Sequence, residues 1–136
     1  MNRLANVQNE YQNIDKYKRV LCLCSAGLLR SPTAALVLSQ EPFNFNTRAA
    51  GVSTEYALVL IDEFLIRWAD EIVCMGPEQK QTLDFLMHKD NKTPVYVLNI
   101  PDDYEYRDPK LMKLIAERYI KVTSKPKEPI IERNNG

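Results

Sequence analysis

A chain of 136 residues has room for one domain with its own core, because single domains cluster around roughly 100 to 150 residues, and two full domains are excluded. With 45% hydrophobic and 26% charged residues it carries too much apolar surface to stay disordered. Eighteen Lys plus Arg balance eighteen Asp plus Glu, which removes the global attraction that a non-specific nucleic-acid or anionic-membrane binder relies on, though not a local basic pocket.

The longest apolar stretches, such as Ala57 to Ile61, fall far short of the roughly 20 residues a membrane helix needs, and Met1 to Lys18 is too polar for a secretory signal. Three cysteines is an odd number in a chain too large to need disulfide staples. Reduced thiols and a cytoplasmic setting are therefore expected, with at least one sulfur free for chemistry.

Residues 1–18, polar with scattered aliphatics, read as an arm. Arg19 to Cys24 is a nearly continuous apolar run, the pattern of a strand buried on both faces of a parallel sheet. After the break at Ser25 to Leu29, Ser31-Pro32-Thr33 opens a helix, with Ser31 as its expected N-cap and Pro32 in the first turn. Thr47 to Gly51 reads as a second strand, and Ser53-Thr54-Glu55 as the start of a helix through the apolar-rich stretch from Tyr56 to Ala69. Glu71 to Met75 is a third strand, ended by Gly76-Pro77, and a polar helix from Glu78 to His88 follows. Pro94 to Asn99 is a fourth strand, and Pro109 opens a last helix with apolar positions at Leu111, Met112, Leu114, Ile115, Tyr119 and Ile120. The alternation predicts an α/β fold: a three-layer sandwich with a four-stranded, parallel sheet, right-handed crossovers and helices on both faces. The domain is expected over 19–122, with 123–136 as a weakly ordered tail.

Ligands of open α/β sheets bind at the carboxyl ends of strands, and the first strand here ends in Cys24-Ser25-Ala26-Gly27-Leu28-Leu29-Arg30-Ser31. A loop that turns from a strand into a helix N-terminus directs successive backbone N–H groups inward, a nest suited to a tetrahedral oxyanion. Residues 25–31 would form this phosphate-binding loop, and Cys24 would lie at its base. The same N–H groups and helix dipole favour a nucleophilic thiolate at Cys24. Arg30 can fold back to contact two phosphate oxygens at once, and Ser31 can hydrogen-bond the sulfur. The competing reading makes Cys24 a small buried hydrophobe and Arg30 a solvated surface residue; the position of C-x5-R-S between a buried strand and a Ser-Pro helix start favours chemistry.

On these residues the chain resembles the low-molecular-weight protein tyrosine phosphatase family, whose first strand ends in a C-x5-R-[ST] phosphate loop followed by Pro-Thr-Ala. Val20 to Ala35 fits that pattern, and the stretch from Ile100-Pro101-Asp102-Asp103-Tyr104 to Asp108-Pro109-Lys110-Leu111 is similar to a small bacterial and phage branch of predicted tyrosine phosphatases. Weaker support comes from Arg48 to Gly51 and Ala69 to Val73. The resemblance implies transfer of phosphate from an aryl ester to Cys24 and hydrolysis of the phosphocysteine, with no metal or other cofactor. Two departures stand out. Gly27 replaces the family's usual Asn, and Leu29 the second Cys that many members pair with the nucleophile.

This chemistry needs a proton for the departing phenolate and a base for the incoming water, and one carboxylic acid can supply both in turn. Asp102 and Asp103 follow the fourth predicted strand, at the same sheet edge as the phosphate loop. By resemblance the acid lies about a turn before the last helix, and counting back from Leu111 favours Asp102. The family's Asp-Pro order is absent, so Asp103 stays open as the alternative acid, and a solvated Asp-Asp turn as the bland reading. Tyr104 and Tyr106 either sandwich a substrate ring or pack on the last helix. His88 is read as complementing the end of its helix, Trp68 as core, and Cys22 and Cys74 as buried strand residues.

The expected function is a cysteine-dependent phosphomonoester hydrolase acting on phosphotyrosine protein or a small aryl phosphate and releasing inorganic phosphate, with neither nucleic acid nor membrane as partner. Two alternatives remain: an arsenate reductase, which would need further cysteines as a relay, and a non-enzymatic phosphate- or phosphoprotein-binding module.

Overall fold

Val20, Cys22 and Cys24 point to one face of the first strand and Leu21 and Leu23 to the other, and all five are buried. A strand buried on both faces needs a layer on each side, and that requirement organises the molecule. The computed structural model describes residues 17–25, 30–55, 57, 59–101 and 103–124.

The elements run β1 (Arg19–Cys24), α1 (Arg30–Ser39), β2 (Asn46–Gly51), α2 (Glu63–Trp68), β3 (Glu71–Cys74), α3 (Pro77–Leu86), β4 (Val95–Val97) and α4 (Pro109–Thr123). The four strands form one sheet in the order β2-β1-β3-β4, and every pairing is parallel. β1 is interior, in register with β2 from Arg19 opposite Asn46 to Cys24 opposite Gly51, and with β3 from Val20 opposite Glu71.

On one face, α1 and α4 cover Val20, Cys22, Cys24, Ala49 and Val73, with Leu111, Ile115 and Tyr119 of α4 buried there. All ten residues of α1 are buried, because the sheet lies under it and α4 beside it. On the other face, Ile66 of α2 and Leu83 of α3 pack with Leu21, Leu23, Ala50, Ile72 and Cys74. This is the three-layer sandwich expected from the alternation of elements.

The structure corrects two local expectations. The helix expected from Ser53-Thr54-Glu55 through Ala69 is confined to α2. The backbone of the stretch before it is claimed by the end of β2: Gly51 N–H donates to Val59 O (2.8 Å), Ile61 N–H donates to Gly51 O (2.9 Å), and Gly51 bridges Leu60. Asp62 then caps the helix, its side chain accepting from Leu65 N–H at 2.8 Å. Tyr56 and Leu58 lie outside the described residues. Ser31, the expected N-cap, is instead the second residue of α1, and its hydroxyl has another task, described below.

Of the expected arm, residues 1–16 lie outside the described residues, as do 125–136 of the expected tail. Lys18 is tied to the sheet: its carbonyl accepts from Asn46 N–H (2.8 Å) and its ammonium lies 3.4 Å from the buried Glu71 carboxylate and 4.9 Å from the centre of the Phe45 ring. The phenol of Tyr119 donates to the same carboxylate at 2.6 Å, joining α4 to β3.

Candidate active site

Parallel strands end together, so the segments that follow β1, β3 and β4 meet at one edge of the sheet. A cleft of about 420 Å³ lies there, lined by Ser25 and Arg30 from the first connection, Gly76 and Glu78 from the second, and Asn99, Ile100 and Pro101 from the third.

Cys24 closes β1 with 3% of its surface exposed. Its sulfur is 3.1 Å from Ser31 Oγ, and Ser31 Oγ is 3.4 Å from Ala50 O. Ser31 has one proton for these two neighbours. With a thiol, Cys24 S–H donates to Ser31 and Ser31 O–H donates to Ala50 O. With a thiolate, Ser31 O–H turns to the sulfur. The hydroxyl thus holds a donor ready for negative charge on Sγ, whether the thiolate is attacking or leaving.

Arg30 opens α1 and is buried, with Nη1 donating to Ile100 O at 2.9 Å. The guanidinium therefore spans from the connection after β1 to the one after β4, beside the two candidate acids in sequence. The backbone there is braced. Asn99 takes a left-handed conformation (φ 56°), which Asn tolerates better than most residues, and Arg118 Nη1 of α4 donates to the carbonyls of both Leu98 and Asn99 at 2.8 Å. Further along, Arg107 N–H donates to Thr33 Oγ1 of α1 (3.0 Å), fastening the 103–108 stretch to the helix that begins with Arg30.

Sequence reasoning missed Gln79. This residue of α3 is fully buried, its Oε1 accepting from Gly76 N–H (2.6 Å) and its Nε2 donating to Ser25 Oγ (3.0 Å). A signal was present: Gln stands three residues after the Gly76 N-cap, the spacing at which a side chain reaches back to the cap N–H. Ser25 O accepts in turn from Ser53 N–H at 2.9 Å, so the residue after Cys24 is held from two sides.

Of the expected site residues, Ser25 and Arg30 line the cleft, and Cys24 and Ser31 touch each other at the end of β1. Ala26, Gly27, Leu28, Leu29 and Asp102 lie outside the described residues. Asp103 is exposed. Tyr104 is half-buried and packs against the α1/α4 core, as its structural reading required, whereas Tyr106 is open to solvent. Trp68 packs with the α2/α3 core, under the Arg48 guanidinium at 5.1 Å. His88 is exposed beyond the end of α3; its Nδ1 accepts from Asp90 N–H at 3.1 Å, and it lines a separate cleft of about 430 Å³ that shares no residue with the first.

No disulfide joins the three cysteines. Burial pushes the Cys22 thiol well above its ordinary range, with the charges of Glu71 and Cys24 adding to the effect, and pushes Cys74 up to about 12.

No family model matches the sequence, and no curated protein matches it significantly. Solved structures do match. Wzb of Vibrio vulnificus, solved with benzylphosphonate, superposes with a TM-score of 0.61 over 78% of this chain and 97% of its own, at 16% identity. SP-PTP, a low-molecular-weight protein tyrosine phosphatase of Streptococcus pyogenes, gives 0.61 over 81% and 95%, at 14% identity. The tyrosine phosphatase Wzb of Escherichia coli K30, solved with phosphate, gives 0.60 over 81% and 99%, at 15% identity. By sheet order, by the layers on its two faces and by these superpositions, the chain has the fold of the low-molecular-weight protein tyrosine phosphatases.

Proposed function

We propose that the protein is a cysteine-dependent phosphomonoester hydrolase of the low-molecular-weight protein tyrosine phosphatase type, acting on phosphotyrosine protein or a small aryl phosphate. The observation that carries the reading is the contact of Cys24 Sγ with Ser31 Oγ at the end of β1, where Arg30 lines the adjoining cleft at the carboxyl edge of the sheet. The solved neighbours support it, one being a tyrosine phosphatase with phosphate and another a complex with benzylphosphonate.

In the proposed reaction the Cys24 thiolate attacks phosphorus, the S–P bond forms and the ester P–O bond breaks. The phenolate takes its proton from Asp102, for which Asp103 is the alternative. Arg30 pairs with two of the three equatorial phosphoryl oxygens, where transition-state charge accumulates. Water then attacks the phosphocysteine and gives its proton to the same carboxylate. The S–P bond breaks, inorganic phosphate departs, and Ser31 O–H donates to the returning thiolate. Three cysteines without a disulfide among them fit a reducing, cytoplasmic setting. No helix among the described residues is long and apolar enough to cross a membrane.

An arsenate reductase would need a relay thiol, and Cys74 packs on the sheet face opposite to Cys24. A binding module would need no nucleophile. Release of p-nitrophenol from p-nitrophenyl phosphate by the wild-type chain, lost in Cys24→Ser, is the expected result; a wild-type chain that binds phosphate without turnover would leave the module in its place.

A further inference from the structure

The orientation of the Gln79 amide is settled by its partner on one side, because a backbone N–H can only donate: the atom 2.6 Å from Gly76 N must be the oxygen. The atom facing Ser25 is therefore the NH₂ group, and at 3.0 Å it donates to Ser25 Oγ. Ser25 Oγ thus accepts from a buried amide that cannot flip without facing its own NH₂ toward the Gly76 N–H. A hydroxyl that accepts on one side points its single proton elsewhere. Ser25 lines the cleft beside Arg30, and its carbonyl is held by Ser53 N–H.

We infer that Ser25 is a further catalytic residue whose O–H donates to a phosphoryl oxygen in the cleft, and that Gln79 is the positioning residue that sets the direction of this donor. The inference rests on the phosphatase reading of the cleft. It adds a side-chain donor beside Arg30. The Gln79 NH₂, fixed in place because its carbonyl accepts from Gly76 N–H, is what leaves the Ser25 proton free to turn to an anion.

The test is a substitution that reverses this polarity with little change of shape. In Gln79→Glu, one carboxylate oxygen still accepts from Gly76 N–H while the other accepts the Ser25 proton, turning a lone pair toward the cleft. Inorganic phosphate binding to the whole chain is measured by calorimetry, and kcat and KM for p-nitrophenyl phosphate alongside, with thermal melting as the control for folding. Ser25→Ala is expected to weaken phosphate binding and kcat/KM by about ten- to a hundred-fold, the usual range for a hydrogen bond to a charged group, and Ser25→Thr to restore most of the loss. Gln79→Glu is expected to cost at least as much in the wild-type background and clearly less in Ser25→Ala, because part of its effect passes through the hydroxyl.

Phosphate affinity within threefold of wild type in Ser25→Ala, or an equal cost of Gln79→Glu in both backgrounds, would overturn the inference; the latter would mean that only the added charge matters. The first of these stands even if Gln79→Glu does not fold. A wild-type chain that shows this binding pattern but hydrolyses no aryl phosphate would keep the Ser25 donor and remove the hydrolase. A wild-type chain that binds no phosphate would remove both.

Discussion

In the proposed reaction, Cys24 and Arg30 are the residues whose roles leave least room for substitution. Cys24→Ser is expected to abolish p-nitrophenyl phosphate hydrolysis while phosphate binding and melting temperature stay near wild type, since a hydroxyl is a far weaker nucleophile but the binding groups survive; activity within tenfold of wild type would remove Cys24 from the role. Arg30→Lys is expected to fail severely as well, because an ammonium cannot make the planar, two-oxygen contact. For the acid, Asp102→Asn is expected to slow an ester with a poor leaving group about a hundred- to ten-thousand-fold, and one with a good leaving group much less, because only the first needs protonation. If the selective loss appears in Asp103→Asn instead, the acid is Asp103. At this scale the motif was legible because its spacing implies its context: C-x5-R-S between a buried run and a Ser-Pro start. Gln79 was not, because a Gln on a polar helix looks solvated until the strand ends place Ser25 beside it. Ser31 was legible in part: its hydroxyl meets the sulfur as expected, but the residue lies inside the helix and does not cap it.

Among the elements, α2 shows where pattern and tertiary structure part. The apolar residues from Ala57 onward have helical density, yet Val59 and Ile61 spend their backbone groups on Gly51, and the helix waits for Asp62. Asp62→Ala is therefore expected to cost about 1 kcal/mol, seen as a drop of a few degrees in melting temperature, while Ser53→Ala leaves α2 intact, because Ser53 does not start it. The strands were easier to read, since continuous apolar runs bounded by Gly, Pro or Ser leave few alternatives to a doubly buried strand. The lower edge of the sheet carries a pH-dependent link. Partial burial alone would raise the Asp70 carboxyl, but hydrogen bonds from the Arg19 backbone (2.9 Å) and guanidinium (3.1 Å) outweigh it and hold the group below its ordinary value of 3.8. A carboxyl lowered in the folded state contributes stability above its unfolded pKa, and that contribution is lost as pH falls through the folded one. Asp70→Asn is accordingly expected to lower melting temperature near neutral pH and to flatten its fall in acid; the difference from wild type should shrink in high salt, because the pair is partly exposed.

Across the whole molecule, the parallel sheet sorts the three sulfurs. Cys22 and Cys24 share the α1/α4 face and Cys74 lies on the other, with the sheet between them. Cys22 and Cys24 are two residues apart on extended backbone, where a disulfide would close a very small, strained ring. A sulfenic acid formed at Cys24 therefore has no partner among these thiols. If the proposed function holds, peroxide is expected to abolish the hydrolysis, and long exposure to yield sulfinic or sulfonic Cys24 that dithiothreitol does not rescue, with bound phosphate protecting. Intact mass spectrometry decides the matter: a two-dalton loss with full recovery on reduction would mean that a disulfide forms after all. The interior position of β1 has a consequence for motion. The strand that ends in Cys24 is paired along both edges, so its amides can exchange with solvent deuterium only when the sheet itself opens, whereas the largely exposed stretch from Asp103 to Arg107 can open locally. In a hydrogen-exchange map the slowest amides among the described residues should thus lie in β1, from Val20 to Leu23, where the strand is paired on both sides.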